Sequence, residues 1–190
     1  MENVVTAGRE ARGAQRAAVR TQQRERKRSL GRALLVGAAA GLAASAATAV
    51  VDRLLDPLVS REQKVREKLV RAGSPHAIAG PRFARALLGR RLSAAEERRA
   101  RAAFGVAYGL LWGAIYAAVR RAVPQASRAA GLPFGVPFYL ACDGAIAPLL
   151  GLTPGIHRVP WQLDAKELAN HVAWTATAEA VHRVDDRIGT

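Results

Sequence analysis

The chain has 190 residues, half of them hydrophobic, and a formal charge of +14. That length suits one domain. A single cysteine, Cys142, excludes an intrachain disulfide and a Cys-rich metal site, and its apolar neighbours mark it as a buried, inert thiol.

Residues 1–32 carry nine Arg or Lys against three acids. Arg9, Arg12, Arg16, Arg20 and Arg24 recur every three or four residues and would form one basic stripe on a helix. The segment reads as a basic tail, either simply solvated or resting on anionic headgroups. Each basic residue near such a surface contributes about 1 kcal/mol. No aromatic or glycine-rich reader motif accompanies the charge, so nucleic acid is not an expected partner.

The first apolar run, "ALLVGAAAGLAASAATAVV" at 33–51, lies uncharged between Arg32 and Asp52. A helix of that length reaches across a bilayer core of roughly 30 Å. Ala47-Thr48-Ala49 resembles a signal-peptide cleavage site, but the basic region before the run is far too long for one. Gly37 and Gly41 give this span a small-residue face for close helix contact.

Residues 52–101 read as a polar connection. Ser60 with Gln63 forms a capping box, opening a helix that should end near Gly73 and Pro75. "RFARALLGRR" at 82–91 is a short basic amphipathic piece. A second box, Ser93 with Glu96, opens a long helix whose apolar part is 102–119. Gly105, Gly109 and Gly113 recur there every four residues. In a soluble helix each would cost about 1 kcal/mol, whereas in lipid such a face lets a neighbouring backbone approach.

A basic connection at 120–131 leads to a third apolar run at 132–150. Pro133, Pro137 and Pro148 predict a bent helix there, with Asp143 near its middle. A proline-bracketed turn follows, and Trp161 suits a headgroup interface. Asp164 and Glu167 read as a third capping box, opening a last helix with a candidate span at 166–185. Its apolar stretch covers only about 22 Å, so an interfacial helix is the competing reading. The fold expected is therefore all-α, an integral membrane domain at 33–190 with about four transmembrane helices behind a basic tail at 1–32.

The last helix carries the candidate chemistry. At 100° per residue His171, Thr175, Glu179 and His182 share a sector with Asp164 and Asp186, about 80° wide. In lipid this polar seam must face other helices, and Asp143 is its natural partner. It reads either as interhelical hydrogen bonding or as a proton-active site. Glu179 and His182 have the i, i+3 spacing of di-iron bundles, but the second motif and two further glutamates are absent from the sequence. There is no phosphate-binding loop, nucleophile elbow or H-E-x-x-H. No metal, cofactor or catalytic activity is expected.

The segment 148–187 resembles the YagU-like bacterial inner-membrane proteins, a family defined by a domain of unknown function. The resemblance rests on Gly151, Leu152, Thr153 and Pro154, then Pro160 and Trp161, Glu167, "HVAW" at 171–174 and Glu179. Weaker similarity covers the Gly37/Gly41 span and the second span. The resemblance implies a multi-span inner-membrane protein with both termini cytoplasmic, and supplies no reaction, cofactor or substrate. His182, Asp143 and the long tail stand outside it. The expectation is a membrane protein of unassigned activity whose His/Glu seam responds to protons. A membrane scaffold and a small proton-coupled transporter working as a homo-oligomer are the alternatives.

Overall fold

The computed structural model describes residues 30–188. The basic stripe from Arg9 to Arg24 lies outside the described residues. Among those described, every regular element is helical. Three helical segments are long and apolar enough to cross a membrane: Leu30–Leu58, Ala94–Ala122 and Pro124–Leu149.

Helix α1, Leu30–Leu58, ends in a 3-10 turn at Asp56–Leu58. It packs antiparallel on α4, Ala94–Ala122, through glycines. A Cβ on Gly113 would collide with the carbonyl of Gly37, and one on Gly41 with the carbonyl of Gly109. The two backbones therefore touch, with Ala40, Ala44 and Ala117 sealing the seam at no more than 1% exposure. Gly105 departs from the expected face, since a Cβ there meets nothing within 4 Å.

Between these spans the polar connection holds two helices. Helix α2, Arg61–Val70, starts at Ser60, whose hydroxyl accepts from the Gln63 amide at 3.3 Å. Only half of the expected box forms, because the Ser60 N–H donates instead to Gln162 at 3.0 Å. The helix also stops at Val70, short of Gly73. Helix α3, Pro75–Leu88, takes in most of the piece expected at 82–91 and begins seven residues earlier. Proline suits that first position because it lacks an N–H the helix would leave unbonded. Gly89 closes α3 in the left-handed conformation at φ 63°. The bare Gly80 lets α3 lie directly on the α4 backbone at Ala100. Ser93 and Glu96 form the full reciprocal box that starts α4.

A 3-10 segment, Pro124–Gly131, reverses the chain into α5, Leu132–Tyr139. The expected bend takes a specific form: Leu140–Ile146 is π-helical, and Ala147–Leu149 closes the run as α6. Such insertions cluster at functional positions, and Asp143 lies in this one.

Helix α7, Trp161–Ile188, opens directly after Pro160. The amides of Leu163 and Asp164 bond the Pro160 carbonyl. Asp164 is thus inside the first turn and not the cap that its spacing from Glu167 predicts. Its carboxylate instead accepts from the Tyr139 hydroxyl.

Contacts at both ends set α7 antiparallel to α1. Lys166 pairs with Asp52 and Asp56 at 3.1 Å, while Asp185 pairs with Arg32 at 2.9 Å. Midway, the Trp174 indole donates to Ser45 at 3.2 Å. Helices α1, α4, α5 and α7 therefore alternate in direction around a core of Tyr116, Phe138, Trp174 and small residues. Large apolar side chains face outward, among them Leu35 at 75% exposure and Leu54 at 70%.

Candidate functional site

Helix α7 turns its polar sector inward. His171, Thr175, Glu179 and His182 are each no more than 6% exposed. The sector is nevertheless divided into two clusters.

The first cluster joins α7 to the π-helical turn. His171 Nε2 lies 3.3 Å from Asp143 Oδ2, and its Nδ1 lies 2.9 Å from the Glu167 carbonyl. Phe138 and Tyr139 make T-shaped contacts with the imidazole, at centroid distances of 4.7 and 5.5 Å. Both partners are buried, Asp143 at 8% exposure. The Glu167 carbonyl can only accept, so Nδ1 carries a proton, and Nε2 meets the Asp143 carboxyl through a second proton held by one of the two.

The second cluster centres on Glu179. Its carboxylate accepts from the Tyr116 hydroxyl at 2.8 Å, from Arg120 Nε at 2.9 Å and from Arg183 Nε at 2.8 Å. Arg120 also reaches Asp186 at 2.6 Å. Two turns of helix separate this cluster from His171, and Thr175 between them does not bridge the gap. Its hydroxyl donates to the His171 carbonyl at 2.9 Å, and its side chain packs on Gly131 and Gly135. His182 stands edge-on to Tyr116 at 5.8 Å.

Tyr116 and Arg120 were not legible as site residues in the sequence. Their only signal is a spacing of four near the end of an apolar run, which puts them on one face of α4. Arg71 was missed too. Its side chain is 4% exposed and bridges Glu67 at 2.8 Å and Glu167 at 3.3 Å. It lies beyond the end of α2, where nothing in the sequence marks an arginine as buried.

Four of the five packing glycines, Gly37, Gly41, Gly109 and Gly113, lie at the α1–α4 contact. Gly105 instead lines a cleft of about 680 Å³ between the end of α1, α2, α4 and α7. Tyr108, Phe138 and Trp174 form an aromatic wall, and His171 and Asn170 border it. Charged groups from α1, α2 and α7 complete the lining, most of them in ion pairs. Asn170 donates to Asp52 at 2.9 Å. Nearby, ahead of the apolar part of α7, burial pushes the Asp164 carboxyl up to about 6 against the opposing charge of Arg71. A smaller apolar slot of about 230 Å³ lies beside it, lined by Phe104, Leu111, Cys142 and Leu152. Cys142 is buried and accepts from the Tyr108 hydroxyl at 3.0 Å. Among the described residues no group of three His, Cys, Asp or Glu is placed to hold a metal ion.

The turn that carries the family resemblance supports this end of the bundle. Gly151 adopts φ 62°, and its carbonyl accepts from Arg82 of α3 at 2.7 Å. Leu152 and Thr153 are buried, Pro160 precedes α7, and Trp161 is 70% exposed. Pro154 precedes Gly155, which adopts φ 95°. Comparison with protein-family models, with curated proteins and with solved structures gives no match for this chain.

Proposed function

We propose that this chain is a four-span protein of a bacterial inner membrane, akin to the YagU-like proteins, with both termini in the cytoplasm. One observation carries the reading: the bundle buries ionisable side chains and turns leucines outward. Leucines of α1 and α4 face outward, while the ionisable residues of α7 are buried against neighbouring helices. A helix with this pattern needs no uniformly apolar surface to cross a bilayer, because its polar face meets protein. Helix α7 is matched at both ends to the ends of α1, which supports counting it as the fourth span. The alternating directions put the two ends of the described chain on one side. The basic tail at 1–32 then lies on that side, where anionic headgroups would attract it.

Carbonate-washed membrane fractionation with reporters fused at each end tests this placement. The protein is expected in the membrane pellet, with both reporters showing cytoplasmic signals. Recovery in the soluble fraction overturns the reading.

Within this membrane domain, we propose that the His171–Asp143 pair is the proton-responsive element. It joins the π-helical turn of one span to the face of another, and His171 borders the cleft. His171→Asn and Asp143→Asn are expected to flatten the pH dependence of thermal stability between about pH 5 and 7, the range in which an imidazole titrates. Glu179→Gln is expected to lower stability without changing that dependence, because guanidinium partners hold their charge throughout. The crowded contacts of Glu179 favour a second reading, a membrane scaffold. Parallel pH curves for wild type and all three variants decide for it.

A further inference from the structure

The cleft has a chemistry that the proton-responsive reading does not use. Its ion pairs can be followed group by group. Lys64 meets Asp56 at 2.5 Å, Lys166 meets Asp52 and Asp56, and Arg71 meets Glu67 and Glu167. Those pairs engage all four of the acidic residues Asp52, Asp56, Glu67 and Glu167 that line the space. Two cations remain in the lining, Arg53 at the end of α1 and Lys68 on α2. Neither has a carboxylate partner among the described residues, and both are exposed. Elsewhere the same space is bounded by the half-buried Tyr108 and by the small parts of Phe138 and Trp174, 3% and 4% exposed, that the core leaves open.

This division is that of a site for an amphiphile. Clefts of this size match the usual range for small-ligand sites, roughly 300–1,000 Å³. An apolar tail lying on the aromatic wall leaves water, and an anionic head reaching the cations exchanges hydration for charge-assisted hydrogen bonds. The position fits as well. Asp52 ends the uncharged stretch of α1, so the charged rim lies at the depth where lipid heads begin and the aromatic wall lies deeper. Gly105 keeps the space open, because any side chain there would project into it with nothing to pack on.

We propose that this cleft binds a single-chain amphiphile with one anionic head, the head held by Arg53 and Lys68 and the chain laid on Tyr108, Phe138 and Trp174. The proposal rests on the membrane reading for the depth of the cleft and the origin of the ligand. The shared chemistry, an anion on an acyl chain, has two sources: a free fatty acid, or a lysophospholipid derived from the bilayer.

The test is titration of the purified full chain in a neutral detergent, followed by calorimetry and by the shift of its thermal midpoint. The probes are palmitate, palmitoyl lysophosphatidylglycerol, the uncharged monopalmitoyl glycerol and inorganic phosphate. Saturable binding of palmitate or of the lysophospholipid is expected, and the tighter of the two names the source. Monopalmitoyl glycerol should bind at least about tenfold more weakly, and phosphate alone should not bind measurably. Arg53→Gln with Lys68→Gln should weaken the anionic probe by about tenfold while leaving monopalmitoyl glycerol unchanged. Gly105→Leu should abolish binding of every acyl probe yet keep the ligand-free thermal midpoint of wild type. Equal affinity for charged and uncharged probes, or unchanged affinity in both variants, overturns the proposal. So does the lack of saturable binding by a protein that fractionates with the membrane, a result that leaves the membrane placement standing.

Discussion

Gly113→Leu is expected to abolish the folded protein, whereas Gly105→Leu, on the same helix two turns away, is expected to leave it intact. At Gly113 an added Cβ runs into the Gly37 carbonyl and lies 2.9 Å from the Cα of Gly41. Backbone cannot swing aside as a side chain can, so α1 and α4 must separate along their whole contact. Even alanine should then cost about 1–3 kcal/mol, the usual price of overpacking. That sign is opposite to the gain of about 1 kcal/mol which alanine brings to a solvated helix. Leucine must push the helices further apart and break the Trp174–Ser45 bond that α1 makes with α7 beyond the contact. At Gly105 the added side chain enters the cleft. The measurement is the yield of monodisperse protein on size exclusion in detergent, with thermal unfolding of whatever is recovered. Wild-type yield and midpoint for Gly113→Leu would mean that the glycine face looks onto lipid.

The contrast between these two glycines shows how far the sequence could be read. Spacing of four puts Gly105, Gly109 and Gly113 on one face, and the uncharged runs place the middles of α1 and α4, which both extend further at each end. A face does not say where its partner helix ends. The α1 backbone touches α4 at Gly109 and Gly113, and only beyond that contact does the cleft open at Gly105. The wheel of α7 likewise placed His171, Thr175 and Glu179 in one inward sector. It could not divide them, because the division is made by residues on other helices: Asp143 for one end, Tyr116 and Arg120 for the other. The π-helical turn was equally hidden. Prolines announce that a helix will deviate, but the register it then adopts depends on neighbours. At the start of α7 a local signal misled. Asp164 and Glu167 match a capping box, yet Pro160 had already supplied the carbonyl to which the first amides bond. Arg71, buried at the close of α2 between two glutamates far apart in the chain, depends on the tertiary fold alone.

Glu179→Ala should be the most damaging side-chain truncation in the polar interior. Glu179 is 2% exposed and anchors Tyr116, Arg120 and Arg183 at once. Removing it leaves the Tyr116 hydroxyl, itself fully buried, without its acceptor. It also leaves Arg120, whose side chain is 21% exposed, with Asp186 as its remaining ion-pair partner among the described residues. Breaking one side of a buried pair costs about 3–5 kcal/mol, since the stranded charge keeps its desolvation penalty. Arg183 is half in solvent and adds little to that sum. Glu179→Gln preserves shape and one acceptor oxygen, so its cost should be nearer 1–3 kcal/mol. Tyr116→Phe provides the internal check. Alone it should cost about 1 kcal/mol, the worth of one hydrogen bond to a charged acceptor that keeps other donors. Combined with Glu179→Ala it should cost almost nothing further, because the hydroxyl has then already lost its acceptor. Thermal or denaturant unfolding of the four proteins in one detergent gives the cycle. Additive costs would mean that Tyr116 and Glu179 act separately. Equal, small losses for the Gln and Ala variants would mean that the Arg120–Glu179 pair does not hold α4 to α7.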